Sequence, residues 1–126
     1  MNKRNIILIG MPGAGKSSVG VILAKVLGYE FIDTDLVIQH REKRLLREII
    51  ADEGNEGFLA IENEVNATLE ADKSVIAPGG SAIYGKEAME HFKEIGTIVY
   101  LKLSYEDLAK RLGNLKGRGV VLKEGQ

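Results

Sequence analysis

A chain of 126 residues with a net charge of −1, 44% hydrophobic and 28% charged residues has the size and balance of one globular domain. The near-neutral charge and the lack of a basic tract exclude a nucleic-acid footprint, and no apolar run reaches the ~20 residues of a membrane-spanning helix. No cysteine is present, which excludes disulfides and thiolate metal sites and fits a cytoplasmic enzyme; nothing marks an obligate protein partner.

The first element is an unbroken apolar run, Ile6-Ile7-Leu8-Ile9, which predicts a strand buried on both faces. It feeds Gly10-Met11-Pro12-Gly13-Ala14-Gly15-Lys16-Ser17, which fits the pattern G-x-x-x-x-G-K-[ST]. In that pattern a glycine-rich turn wraps backbone N–H groups around a phosphate chain, the lysine reaches the β- and γ-phosphates, and the hydroxyl can ligate Mg²⁺. Val19, Ile22, Leu23, Val26 and Leu27 then recur at helical spacing, and Gly28 stands where a glycine stops a helix. The start of that helix offers unpaired N–H groups and a positive dipole end to an anion. Strand, glycine turn and helix in this order point to a bound nucleotide.

A second strand ending at Ile32 leads into Asp33-Thr34-Asp35 and so delivers two carboxylates to the end of a strand where ligands bind in open parallel sheets. If the segment turns there, the two carboxylates can share one site. Asp35 has a second reading as the cap of the helix that opens Leu36-Val37-Ile38. Residues 39–53 form one charged helical region, with Leu46, Ile49 and Ile50 as its apolar stripe and Arg41, Lys43, Arg44 and Arg47 as a solvated surface, until Gly54 breaks it. From Glu56 to Ala71 a further amphipathic helix presents Phe58, Ile61, Val65 and Leu69, with Glu62 at the edge of the apolar face.

Ser74–Ala77 is the third buried strand. Pro78-Gly79-Gly80-Ser81 follows it, either as a plain turn or as a glycine pair that lets backbone amides come close to a ligand. A short helix over 85–93, a fourth strand over 97–101 and a helix opened by Ser104 and Asp107 complete the regular elements. The glycine-rich stretch 113–119, with Lys116 and Arg118, has two readings, a mobile lid over phosphate or a frayed terminus. His40 and His91 have no partner cluster and receive no role. The alternation of strands and helices predicts an α/β fold, a three-layer sandwich around a parallel sheet with right-handed crossovers.

Taken in order, these segments resemble the shikimate kinases, small phosphate-loop enzymes that move the γ-phosphoryl of ATP to a hydroxyl of shikimate. The resemblance runs from Ile6 to about Arg118. It is carried by the phosphate loop, by Gly28-Tyr29-Glu30-Phe31-Ile32-Asp33-Thr34-Asp35, by Gly54 with Phe58 and Glu62, by Val75-Ile76-Ala77-Pro78-Gly79-Gly80, and by Arg111 and Arg118 at the family's lid spacing. The loop is common to many NTPases, while the two-aspartate segment followed by the Gly-Gly turn is far more specific.

The resemblance implies one phosphate-loop kinase domain over 1–126, with a lid at 113–126. It also implies that Gly13, Ala14, Gly15, Lys16, Ser17 and Ser18 hold the phosphates of ATP, that Ser17 and Asp33 (the latter through water) hold Mg²⁺, and that Arg111 lies against adenine. Lys16, Asp35 and Arg118 become the catalytic residues: Asp35 orients the acceptor hydroxyl and draws off its proton, and Arg118 closes over the transferring phosphoryl. Asp35, Gly79 and Gly80 bind the acceptor, so the expected partners are ATP and a small hydroxylated molecule.

Three departures qualify the likeness. Leu59 stands where the family carries an arginine for the substrate carboxylate, and loss of one partner of such a buried pair costs about 2–5 kcal/mol. Ser81 replaces the family's third glycine, and Gly119 replaces the proline after its lid arginine. The family's later elements, among them a fifth strand and a second carboxylate-binding arginine, are missing, so the chain is expected to be shortened at its carboxyl end, to leave its fourth strand at a sheet edge, and to associate in solution. A kinase with a carboxylate-free acceptor would tolerate Leu59 better. A nucleotide-binding module without phosphotransfer is a third reading, against which Asp35 and Arg118 both speak.

Overall fold

The computed structural model describes residues 4–10 and 16–101. Gly13, Ala14 and Gly15 of the phosphate loop, the helix expected at Ser104, Arg111, and the lid with Arg118 lie outside the described residues.

Four strands, β1 (Asn5–Gly10), β2 (Glu30–Asp33), β3 (Ser74–Ala77) and β4 (Gly96–Leu101), form one parallel sheet in the order β2-β3-β1-β4. Helices α1 (Lys16–Leu27), α2 (Thr34–Glu42), α3 (Leu46–Ala67) and α4 (Lys86–Ile95) connect them, and a single 3-10 turn, Ala82–Tyr84, precedes α4. The period of two along each strand divides the core into layers. Ile7, Ile9 and Ile76 face Ala88 and Phe92 of α4, while Leu8 and Val75 face Ala24 of α1 on the other side. Helices therefore cover both faces of the sheet, which is the expected three-layer α/β sandwich. A third cluster, Ile38, Ile49 and Val65, holds α2 and α3 together.

At the amino end of the sheet a single polar side chain ties the strands to their connections. Asn5 is buried; its Nδ2 donates to the carbonyls of Ala71 and Ile95 at 2.9 Å each, and its Oδ1 accepts from the Ser74 amide at 3.0 Å. Removing that side chain orphans the buried Ser74 amide and takes a donor from two part-buried carbonyls. Asn5→Ala is therefore expected to lower stability by about 2–5 kcal/mol, visible as a fall in the midpoint of chemical denaturation.

Two expectations about the helices need correction. Residues 39–53 are not one helix: α2 ends at Glu42, Lys43 takes left-handed backbone (φ 56°), and α3 begins at Leu46. Gln39 binds both sides of the break, its carbonyl accepting the Lys43 and Arg44 amides and its Oε1 the Leu46 amide. Helical geometry then resumes, and Gly54 (φ 76°, ψ 174°) puts a kink within α3 rather than a gap. The helix expected to reach Ala71 ends at Ala67, where the Thr68 amide and hydroxyl both turn back to the Glu64 carbonyl.

The basic cluster is a surface feature, as expected. Arg41 pairs with Glu42 and Glu64, and Arg44 with Glu42, Asp52 and Glu53. Among the described residues β4 is an edge strand, with Tyr100 58% exposed, and no helix is long and apolar enough to cross a membrane.

Candidate active site

The parallel register brings the carboxyl ends of β1, β2 and β3 side by side. Asp33 closes β2 opposite Ala77, the last residue of β3, and Gly10 closes β1. In sheets of this kind the crevice beyond those ends is where a ligand sits. Every described residue proposed for the site lies at this edge or on a helix that starts from it.

Lys16 opens α1 and its Nζ donates to the Gly10 carbonyl at 2.8 Å. Ser17 and Ser18 follow it in the exposed first turn of the helix. At the end of β2 the chain turns directly into α2, which puts Asp33 at the strand end and Asp35 in the first turn of the helix. The helix cap is Asp33, not Asp35: Asp33 Oδ1 accepts the Asp35 amide at 2.9 Å. That bond fixes the first turn of α2 and leaves the Asp35 carboxylate for other work.

After β3 the chain passes through Pro78 to Gly79. A Cβ at position 79 would lie 2.9 Å from Asp35 Oδ1 and 2.9 Å from Glu62 Oε2. A side chain there would push these two carboxylates aside, and their oxygens lie no further apart than twice that distance. Gly80 follows, exposed at the turn.

Glu62, which the amphipathic pattern placed only at the margin of its helix, lies inside the cleft beside Gly79. It is 2% exposed. Its Oε1 accepts from the Ser81 hydroxyl at 2.7 Å, and its Oε2 is buried without a hydrogen-bond partner. Asn66, one helical turn on, is buried with both side-chain polar atoms unpartnered. A polar pair at i and i+4 on the buried face of α3, each member directly after an apolar residue (Ile61 and Val65), was the available signal.

The electrostatics follow from this crowding. Burial pushes the Asp35 carboxyl above its ordinary range; Asp33 adds to the rise and Lys16 opposes it. Burial likewise raises Glu62, against the Ser81 hydrogen bond, with Asp35 adding to the rise and Lys16 opposing it. Lys16 itself is lowered by burial, while Asp35 and Glu62 hold its proton on. A cation and two carboxylates of unequal surroundings thus share one cleft.

Beside the Glu62–Ser81 pair, between α3 and the 3-10 turn, lies a cavity of about 290 Å³ whose lining includes Leu59 and Tyr84. On its far side Asn63 crosses to α4. The Asn63 Oδ1 accepts the Ala88 amide at 3.0 Å and its Nδ2 donates to Glu87 Oε1 at 2.9 Å, capping a helix whose own cap residue is Gly85.

Comparison with known proteins places the chain. The shikimate kinase family model matches residues 12–126. Shikimate kinase 2 of Yersinia pseudotuberculosis serotype O:3 (strain YPIII) is 38% identical over 109 residues, which is 86% of this chain and 63% of that protein. Among solved structures, a shikimate kinase from Acinetobacter baumannii in complex with shikimate superposes with a TM-score of 0.73 at 36% identity, over 90% of this chain and 64% of that one. A shikimate kinase from Bacteroides thetaiotaomicron gives 0.71 at 32% identity, over 85% and 61%. The chain spans less than two thirds of the length of each of these relatives. The residues matched by the family model include α1, the two-aspartate turn and the Gly-Gly turn, and the chain belongs to the shikimate kinase family.

Proposed function

We propose that the chain is a phosphotransferase that moves the γ-phosphoryl of ATP to a hydroxyl of a small acceptor. Shikimate, the ligand of the Acinetobacter relative, is the first acceptor to test. The observation that carries this reading is the placement of Lys16, the first residue of α1, and Asp35, in the first turn of α2, at the same carboxyl edge of one parallel sheet, where a phosphate bound at the first faces a hydroxyl bound at the second.

The roles follow from position. The loop amides of Gly13, Ala14 and Gly15 with Lys16, Ser17 and Ser18 at the start of α1 hold the triphosphate, and Lys16 exchanges the Gly10 carbonyl for phosphate oxygens. Asp35 accepts the hydrogen of the acceptor hydroxyl and aims its oxygen at phosphorus. Gly79 and Gly80 bring main chain close to the acceptor, and Arg111 and Arg118 serve adenine and the transferring phosphoryl. Phosphoryl transfer asks the protein for alignment and charge neutralisation, which is what this set supplies.

The residues also suit Mg²⁺. Among the described residues no group of three acidic or imidazole ligands converges. A hydroxyl (Ser17) and one carboxylate (Asp33), with Asp33 Oδ1 already engaged by the Asp35 amide, match an ion that takes few protein oxygens and relies on phosphate and water for the rest. When bound, that ion neutralises charge on the β- and γ-phosphates.

The test is ADP release from Mg-ATP with and without shikimate. Shikimate-dependent ADP formation, with a phosphorylated product seen by ³¹P NMR, is the expected result. Slow hydrolysis indifferent to any hydroxylated acceptor would overturn phosphotransfer and leave nucleotide binding alone.

A further inference from the structure

The acceptor side of the cleft is acidic and apolar. Glu62 is held in place by Ser81, yet its Oε2 has no partner, is buried, and points to the same spot beside Gly79 as Asp35 Oδ1. Glu62 makes no direct ion pair among the described residues; the cation acting on it is Lys16, which faces the phosphate end of the cleft. Arg44 is engaged on the surface by three carboxylates. The cavity beside Glu62 is walled by Leu59, Ala60 and Ala82, and the exposed Lys86 at its lining stands next to Glu87.

A buried acceptor oxygen without a donor is completed by a ligand that brings one. An anion brought to the same place meets two carboxylates and the apolar wall of Leu59, Ala60 and Ala82, and among the described residues no arginine lines the cavity. We propose that this pocket selects an uncharged polyol, one hydroxyl donating to Glu62 Oε2 beside the reacting hydroxyl at Asp35 and the carbon frame resting on Leu59, in preference to an acceptor bearing a carboxylate. The proposal rests on the phosphotransferase reading and narrows its substrate class.

The experiment compares shikimate with its hydroxymethyl analogue, in which the carboxylate is replaced by an alcohol and the ring hydroxyls are kept. With Mg-ATP, kcat/KM for the analogue is expected to exceed that for shikimate by about 10-fold or more. Leu59→Arg, at an exposed position that tolerates the longer side chain, is expected to reverse the order, and Glu62→Gln to narrow it at least several-fold, a change in ratio that a merely structural role would not produce. Equal or higher kcat/KM for shikimate with the natural chain would overturn the proposal and leave phosphotransfer standing. If neither compound stimulates ADP release, calorimetric titration of the two compounds decides selection by itself. Tighter binding of the analogue upholds it; equal binding, tighter binding of shikimate, or no saturable binding of either overturns it.

Discussion

Asp35→Asn is expected to lower kcat by about 10²–10⁴-fold while leaving affinity for Mg-ATP nearly unchanged, because the substitution removes a proton acceptor and keeps the shape of the side chain. The same substitution should make the protein more stable at neutral pH. Burial, and then Asp33, raise the Asp35 carboxyl, so the folded protein disfavours the ionised form. That disfavour is absent below the carboxyl's ordinary range and builds as pH rises through the raised value, which makes the natural chain bear it at neutral pH. The gain in melting temperature of Asp35→Asn over the natural chain is therefore largest near pH 7 and closes toward pH 4. Activity and stability moving in opposite directions separate a working carboxylate from a structural one. In the natural chain the acid limb of kcat/KM lies above the usual aspartate range, since catalysis needs the ionised form; Asp35→Asn loses that limb along with the activity.

Lys16→Ala should cost about 10²–10³-fold in kcat, the usual consequence of deleting one fixed donor from a charge-stabilising site. It should also abolish the rise in melting temperature that ATP gives the natural chain, since ligand stabilisation tracks affinity. A second consequence is specific to this cleft. Lys16 opposes the rise of both Asp35 and Glu62, so its loss pushes both carboxyls further up and moves the acid limb of the residual activity to higher pH. A profile that keeps its acid limb in place would show that the lysine and Asp35 do not share a site.

The sheet and the nucleotide end of the site were legible because single residues there have few alternatives. Four consecutive branched apolar residues at 6–9 have no solvent face to offer, and Gly28 (φ 72°) ends its helix by the backbone angle that only glycine takes freely. Lys43 was invisible for the converse reason: it adopts left-handed backbone without being glycine or asparagine, held there by Gln39 through contacts that span the break. The two aspartates were found but their division of labour was not, since either carboxylate can cap a helix and only the tight exit from β2 assigns that task to Asp33. The surroundings of Glu62 were not legible because helical periodicity reports which side of α3 is buried and not what it is buried against. Its meaning came from Gly79, seventeen positions on and brought beside it by β3.

The cap that Asn63 lends to α4 has a mechanical corollary. A side chain at position 85 would collide with Asn63 Oδ1, so the start of α4 is shaped around a group that belongs to its neighbour. Asn63 is the next residue after Glu62 on a rigid helical turn, and α4 carries Phe92 into the floor of the sheet. A displacement of α3 at Glu62 is therefore passed to the flanking helix through Asn63, so the wall of the cleft and the start of α4 are mechanically one piece.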